Sequence, residues 1–228
     1  MTARYTVFFC PDDLSALAEF GNRVLGRLPT GQRVSTSAGD FTDRVTAELL
    51  ASTPAHYGFH ATLKAPFELA ENFSSSDFLA HVEQFAKQQQ PITLHDLKPR
   101  ALAGFMALAF EMQPIEVVDL ACRCVEEFEP YRAELSQIDL DKRKPELLTE
   151  QQRDYLYRFG YPFVMQEFRF HMTLTGKLNV SEHTDYIAWL TALYDSLLSN
   201  PPVLDRLAIF WQPDRQTAFT RIAQFPFS

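Results

Sequence analysis

An α+β fold built from a duplicated unit follows from three observations on this 228-residue sequence. The tetrapeptides His60-Ala61-Thr62-Leu63 and His171-Met172-Thr173-Leu174 recur 111 residues apart. Each is followed by a helical pattern and two strand-like runs, and a proline (Pro91, Pro202) lies 31 residues after each histidine. The same shift pairs Phe78 with Trp189, Leu79 with Leu190, Val82 with Leu193 and Ile92 with Val203. The expected architecture is a pseudo-two-fold pair of lobes, each an antiparallel sheet with helices packed on its outer side, around a central cleft. One bilobal domain covers 1–228: a first repeat at about 57–112, a second at about 162–225, and a helical and loop connection at about 113–161.

The elements follow in order. Residues 5–10 alternate as a strand, and Pro11-Asp12-Asp13 opens a helix with Leu14, Leu17, Val24 and Leu28 near one face. Residues 31–43 are polar and turn-rich, and Ser52-Thr53-Pro54 reads as a loop. From Gly58 onward alternation returns: Phe59, Ala61 and Leu63 share one face, and His60, Thr62 and Lys64 the other. Residues 74–90 are helical, with Phe78, Val82 and Phe85 spaced for burial. Strands follow at 92–97 and 101–112, turning at Pro99-Arg100, and Pro114 starts a helix to about Phe128. Residues 131–148 are charged and irregular. Thr149-x-x-Gln152 is a capping box and Gly160 a helix stop. In the second copy Phe168, Phe170, Met172 and Leu174 form the apolar face, and Arg169, His171, Thr173 and Thr175 the polar one. A helix at 181–199, with Ile187, Leu190, Tyr194 and Leu197 inward, precedes strands at 203–211 and 217–225.

Composition narrows the function. The hydrophobic fraction of 46%, with 20 Phe, supplies a full core. A net charge of −8 disfavours long nucleic acid, whose phosphates are met by clustered Lys and Arg, but leaves a small anion compatible. Cys10, Cys122 and Cys124 are odd in number and lack zinc spacing, which suits a reducing compartment. The N-terminal apolar stretch is too short for a signal peptide and no segment approaches a membrane span, so a soluble, cytoplasmic monomer with no membrane partner is expected. The sequons at Asn72 and Asn179 carry no meaning there.

The paired motifs suggest acid–base chemistry. An imidazole titrates near pH 6.5, so one histidine can be neutral while another is charged. Cleavage of a phosphodiester needs such a pair, a base for the nucleophile and an acid for the leaving oxygen, each typically worth ~10²–10⁴-fold. A threonine two residues on, about 7 Å along the strand, can donate to a phosphate oxygen that gains charge in the transition state. His60 and His171 are the candidate catalytic residues, Thr62 and Thr173 the candidate phosphate ligands, and no metal or other cofactor is called for. Tyr57 and Tyr161 precede the motifs; Lys64, Arg169 and Thr175 extend their polar faces; Arg132 and Arg143 sit in a segment long enough to fold over the cleft. These seven are candidates for touching substrate.

The strings Tyr57-Gly58-Phe59-His60-Ala61-Thr62-Leu63-Lys64-Ala65-Pro66-Phe67 and Phe168-Arg169-Phe170-His171-Met172-Thr173-Leu174-Thr175-Gly176 resemble the two-histidine phosphoesterase superfamily. That superfamily includes RNA 2′-5′ ligase-like proteins and cyclic nucleotide phosphodiesterases. The strings are most similar to a bacterial branch encoded among phosphonate-utilisation genes. The resemblance spans nearly the whole chain and implies a bilobal fold with a central cleft and roles for His60, Thr62, His171 and Thr173, without specifying the branch's exact substrate. The paired chemistry and the acidic surface favour a small cyclic phosphodiester of a sugar or nucleotide, and the genomic resemblance suggests a ribose phosphate intermediate of phosphonate breakdown.

Two alternatives compete. A metallohydrolase would use His56 and His60 with Glu68 or Glu167, but the four-residue histidine spacing means little where the chain is a loop followed by a strand. A small-anion or nucleotide-binding module would keep the cleft without turnover. No P-loop, Gly-rich dinucleotide fingerprint or Gly-x-Ser-x-Gly elbow is present.

Overall fold

The computed structural model describes residues 3–33 and 53–228. Most of the turn-rich stretch expected at 31–43, and Ser52 of the loop expected at 52–54, lie outside the described residues. The strands are β1 (Arg4–Phe9), β2 (Ala61–Glu68), β3 (Ile92–Thr93), β4 (Lys98–Leu102), β5 (Phe105–Ala109), β6 (His171–Thr173), β7 (Val203–Leu204), β8 (Arg206–Gln212) and β9 (Thr220–Pro226). The helices are α1 (Ala16–Leu25), α2 (Thr53–Tyr57), α3 (Ser75–Ala86), α4 (Ile115–Glu127), α5 (Gln137–Arg143), α6 (Glu150–Phe159) and α7 (His183–Leu197).

Seven strands form one antiparallel sheet in the order β4-β5-β6-β2-β1-β8-β9, and β3 pairs with β7 in a second, two-stranded sheet. The motif strands β2 and β6 are neighbours, so the two halves join at the sheet centre. Each half lends its hairpin and helix to the other side: β5 of the first repeat pairs with β6 of the second, α3 packs on β8 and β9, and α7 packs on β4 and β5. β1 fills the place between β2 and β8.

Alternation along the central strands divides the sheet into two faces. Val7, Phe9, Ala61, Leu63, Met172, Leu207 and Ile209 point to the helical layer and pack with Phe20, Phe78, Leu120 and Leu190 in the main core. The opposite face carries Phe8, Phe210 and Phe219 in a small aromatic cluster beside the motif side chains. On α1, Gly21 is where Phe59 packs: a Cβ there would collide with the Phe59 ring.

Several expected boundaries move. The first helix begins after Ser15, whose side chain accepts from the Ala18 N–H, so Leu14 stays outside it and is 97% exposed. Thr53 and Pro54 open α2 instead of a loop, since proline is pre-set for a first helical turn. Pro99 lies within β4, an edge strand where its missing N–H costs nothing. The β4–β5 turn falls instead at Ala103-Gly104, both with positive φ (47° and 90°), as a tight hairpin requires. The expected strands at 92–97 and 168–174 shrink to β3 and β6. The irregular segment 131–148 holds α5, capped by Ser136.

Candidate active site

Ala61 on β2 pairs with Met172 on β6. Antiparallel counting from that pair sets His60 opposite Thr173 and Thr62 opposite His171, with all four side chains on the face away from the helices. Together they line a cavity of about 390 Å³. A larger open concavity of about 840 Å³, lined by Gln88, His95, Asp119 and Arg123 among others, contains none of the four.

Each imidazole is fixed in the same way. Nδ1 of His60 lies 2.8 Å from the carbonyl oxygen of Gly58, and Nδ1 of His171 lies 2.8 Å from that of Arg169. A carbonyl only accepts, so each Nδ1 carries the proton and each Nε2 is left for other chemistry. Neither threonine hydroxyl is hydrogen-bonded to protein among the described residues.

The surroundings break this symmetry. Phe8 stacks on His60 at 3.8 Å and 24°, with Tyr57 at 5.8 Å and Phe210 at 6.3 Å. The corresponding flank of β6 is β5, whose short Ala107 and Ala109 oppose Thr173 and His171. Among the described residues His171 meets one ring, Phe105, at 6.1 Å. Enclosure disfavours imidazolium at His60 and pulls its pKa down to about 4; the Gly58 hydrogen bond opposes this and the charge of His171 adds to it. His60 is therefore neutral at pH 7, with an Nε2 lone pair.

Tyr57 and Tyr161 both line the cavity, as does Arg143, whose guanidinium lies 4.5 Å over the Tyr161 ring. Thr175 borders the cavity but is 1% exposed; its hydroxyl accepts from the Met106 N–H and donates to the Gly176 carbonyl. Arg169 is exposed, turned back to the carbonyls of Gln166 and Phe168, and does not line the cavity. Arg132 binds Glu129 and lies outside the cavity.

Lys64 is a correction. The β1–β2 register shifts between Phe8↔Thr62 and Val7↔Lys64, so Leu63 is an extra β2 residue and the alternation inverts after it. Lys64 accordingly points to the core side, 2% exposed, with Nζ on the Val125 carbonyl at 3.1 Å and Glu129 at 2.8 Å. There it meets the C-terminal end of α4, where a cation is favoured.

His56 is the other relocation. It sits in α2, and its Nε2 accepts from the Gln212 amide at 3.0 Å instead of turning to His60. Among the described residues no group of three or more His, Cys, Asp or Glu is arranged to hold a metal ion. Lys177, Phe8 and Phe105 line the cavity without having been picked out from the sequence. Lys177 had a signal, a cation four residues beyond Thr173; the two phenylalanines had none, because both look like ordinary core residues.

The described lining residues include no Asp or Glu, although the chain carries 29 acidic against 21 basic residues. Arg143 and Lys177 give this pocket a positive bias within a negative protein.

A family model described as "Protein of unknown function (DUF1045)" matches residues 62–220. The chain belongs to that family. The DUF1045 match takes in Thr62 and the whole second motif and stops just short of His60. Two curated relatives share the name ribose 1,5-bisphosphate phosphokinase PhnN. The one from Janthinobacterium sp. (strain Marseille) is 38% identical over 179 residues, covering 77% of this chain and 39% of the relative. The one from Laribacter hongkongensis (strain HLHK9) is 32% identical over 226 residues, covering 95% of this chain and 50% of the relative. The chain thus spans half or less of the length of the curated relatives it matches. Among solved structures, Escherichia coli LigT with 3′-AMP is similar at a TM-score of 0.44 and 12% identity, over 100% of this chain and 99% of that one. A structure described as a phosphoesterase is similar at 0.42 and 10% identity, over 99% and 98%. Likeness this distant assigns no activity. Among the described residues no helix is long and apolar enough to cross a membrane.

Proposed function

We propose that this DUF1045 protein is a metal-independent phosphodiesterase that opens a small cyclic phosphodiester by two-histidine acid–base catalysis. The observation that carries the reading is the matched pair of Nδ1–carbonyl hydrogen bonds, which leaves two Nε2 atoms in one cavity beside two unengaged hydroxyls.

The chemistry runs in one displacement. His60, held neutral, takes a proton from water at Nε2 as the water oxygen attacks phosphorus. The ring P–O bond breaks, and His171 donates its Nε2 proton to the leaving oxygen. Thr62 and Thr173 donate to the non-bridging oxygens as charge builds there. A bound phosphodiester anion raises the His60 pKa from its low value, so proton uptake is assisted where the substrate sits. The donor set also supports metal independence. A hydrolytic zinc site takes three protein ligands, and the described lining residues offer two imidazoles and no carboxylate.

The substrate class follows from size, charge and kinship. A 390 Å³ pocket with a positive bias suits one phosphorylated sugar or nucleotide. The curated relatives are named for a kinase acting on ribose 1,5-bisphosphate, yet this chain, half or less of their length, has no P-loop. A phosphodiesterase portion beside such a kinase has a chemical logic. A cyclic phosphate bridging O1 and O2 of ribose, opened at the P–O2 bond, leaves a phosphate on C1. We therefore favour a ribosyl cyclic phosphate, with a role in phosphonate utilisation.

The test is a screen of ribosyl 1,2-cyclic and nucleoside 2′,3′-cyclic phosphates with EDTA present. Turnover of at least one supports the reading. Activity abolished by EDTA and restored by zinc would replace it with a metallohydrolase.

A further inference from the structure

The two-histidine cavity does not end at the motif residues. Ala65, Pro66 and Arg143 line both it and an adjoining narrow recess that also contains Arg4, Arg132, Arg215, Glu68, Glu134 and Asp139. Most charges in that recess cancel. Arg215 forks onto Asp139 at 2.8 and 3.0 Å and reaches Glu68 at 3.0 Å, and Arg132 binds Glu129. Glu134 is exposed and makes no ion pair among the described residues.

Two cations of the recess, Arg4 and Arg143, and Lys142 beside Arg143 on α5 make no ion pair among the described residues. Arg4 is 9% exposed and ends on the amide oxygen of Gln212, not on a carboxylate. Arg143 and Lys142, at the end of α5, have no carboxylate partner among the described residues. The Lys142 ammonium is pushed below its usual pKa by burial and then by Arg4, Arg143 and Arg215, with Asp139 opposing them. Arg4 is buried against a neutral amide, while Arg143 is half-buried and Lys142 exposed, so the two α5 cations are open to an incoming anion at the cavity rim.

We propose that Arg143, supported by Lys142 and Arg4, forms a second anion subsite that takes a phosphomonoester carried by the same substrate whose phosphodiester lies between the histidines. The subsite rests on the phosphodiesterase reading for its substrate, though not for its charge. Arg143 has the geometry for the task. Its guanidinium carbon lies 4.5 Å over the Tyr161 ring, a contact that holds the group at the cavity. Its N–H groups make no hydrogen bond to protein among the described residues, which leaves them for the paired hydrogen bonds that phosphate accepts. Arg143 also borders the histidine cavity directly, so one small molecule can span both sites. The preferred substrate is thus a cyclic phosphodiester bearing a separate phosphate, and Arg143 sets that preference.

Two measurements keep this subsite separable from the catalytic reading. The first is calorimetric titration of ribose 5-phosphate, with ribose as control, into the His60→Ala/His171→Ala protein with and without Arg143→Gln. Binding that survives the histidine changes and weakens about tenfold to hundredfold with Arg143→Gln supports the subsite. Binding indifferent to Arg143, or already lost with the histidines while circular dichroism stays native, overturns it. The second compares kcat/KM for a nucleoside 2′,3′-cyclic phosphate with and without a 5′-phosphate. The phosphorylated form should be preferred at least about tenfold, a ratio that Arg143→Gln brings close to unity and Arg143→Lys restores only in part. Turnover without that preference overturns the subsite and leaves the phosphodiesterase standing. Arg143-dependent binding with no turnover of any cyclic substrate supports the subsite and overturns the phosphodiesterase.

Discussion

Ala61 and Met172 pair across the β2–β6 junction, and they are the same position in the two copies of the repeat. Two equivalent residues paired antiparallel lie on a local two-fold axis. The second sheet meets the same condition, since Ile92↔Leu204 and Thr93↔Val203 exchange under the 111-residue shift. The duplication therefore builds one composite site at its own symmetry axis, with a histidine and a threonine from each copy. What differs is the flank: Phe8 on β1 crowds the first histidine, where β5 offers alanines to the second.

That crowding makes acid sensitivity a test of His60. Its imidazole titrates near 6.5 in an unfolded chain and at about 4 in the fold, so the unfolded chain binds the proton first. The His60 contribution is intact above pH 6.5, and stability falls as pH drops from there toward 4. Urea midpoints at pH 7, 5 and 4 should show this decline in the wild type and a shallower one in His60→Gln. Equal slopes would mean that His60 is not enclosed as described. In kinetics the acid limb of kcat/KM should lie near pH 4, and that of kcat higher, because the bound anion favours imidazolium.

Thr62→Val and Thr173→Val should each lower kcat by roughly 10²–10³ with smaller effects on KM, the signature of a donor used chiefly in the transition state. Thr175→Val is the control. Its hydroxyl is committed to Met106 and Gly176, so that change should lower thermal stability first. A kcat loss at Thr175 matching that at Thr173 would contradict the division between them.

Lys64→Met tests the β2 bulge. Removing the ammonium strands the Val125 carbonyl and one contact of Glu129, at a cost of about 1–3 kcal/mol, while Glu129 keeps Arg132. Denaturant unfolding should register that loss with kcat/KM nearly unchanged. A variant as stable as the wild type but catalytically impaired would return Lys64 to the substrate side.

Gly21→Ala should destabilise by roughly 1–3 kcal/mol, because the added methyl meets the enclosed Phe59 ring and not open space. Phe59 precedes His60, so the His60 Nδ1–Gly58 geometry should shift too. Chemical-shift changes confined to α1, with His60 unmoved, would contradict that coupling.

The sequence carried the four motif residues because a repeat marks equivalent positions without any structure. It carried the stripe of α3, the capping box of α6 and the Gly160 stop because those signals are local. It could not carry Lys64, whose expected face relied on unbroken alternation that one extra β2 residue inverts. Nor could it separate Arg143 from Arg132, twin cations of one charged segment: Glu129 takes Arg132, while Tyr161 draws Arg143 to the cavity. The asymmetry between the histidines depends on which strand flanks each, a long-range fact hidden from a reading by repeat.

The central claim is that His60 and His171 act on one phosphodiester in one step. The most direct test follows ring opening of a ribosyl cyclic phosphate by phosphorus NMR in EDTA, for wild type, His60→Ala, His171→Ala and the double variant. Groups acting as a unit are non-additive: each single change should cost several orders of magnitude, and the double variant should be little worse than the poorer single. Either single variant retaining near wild-type turnover, or losses that multiply in the double variant, would contradict the two-histidine account.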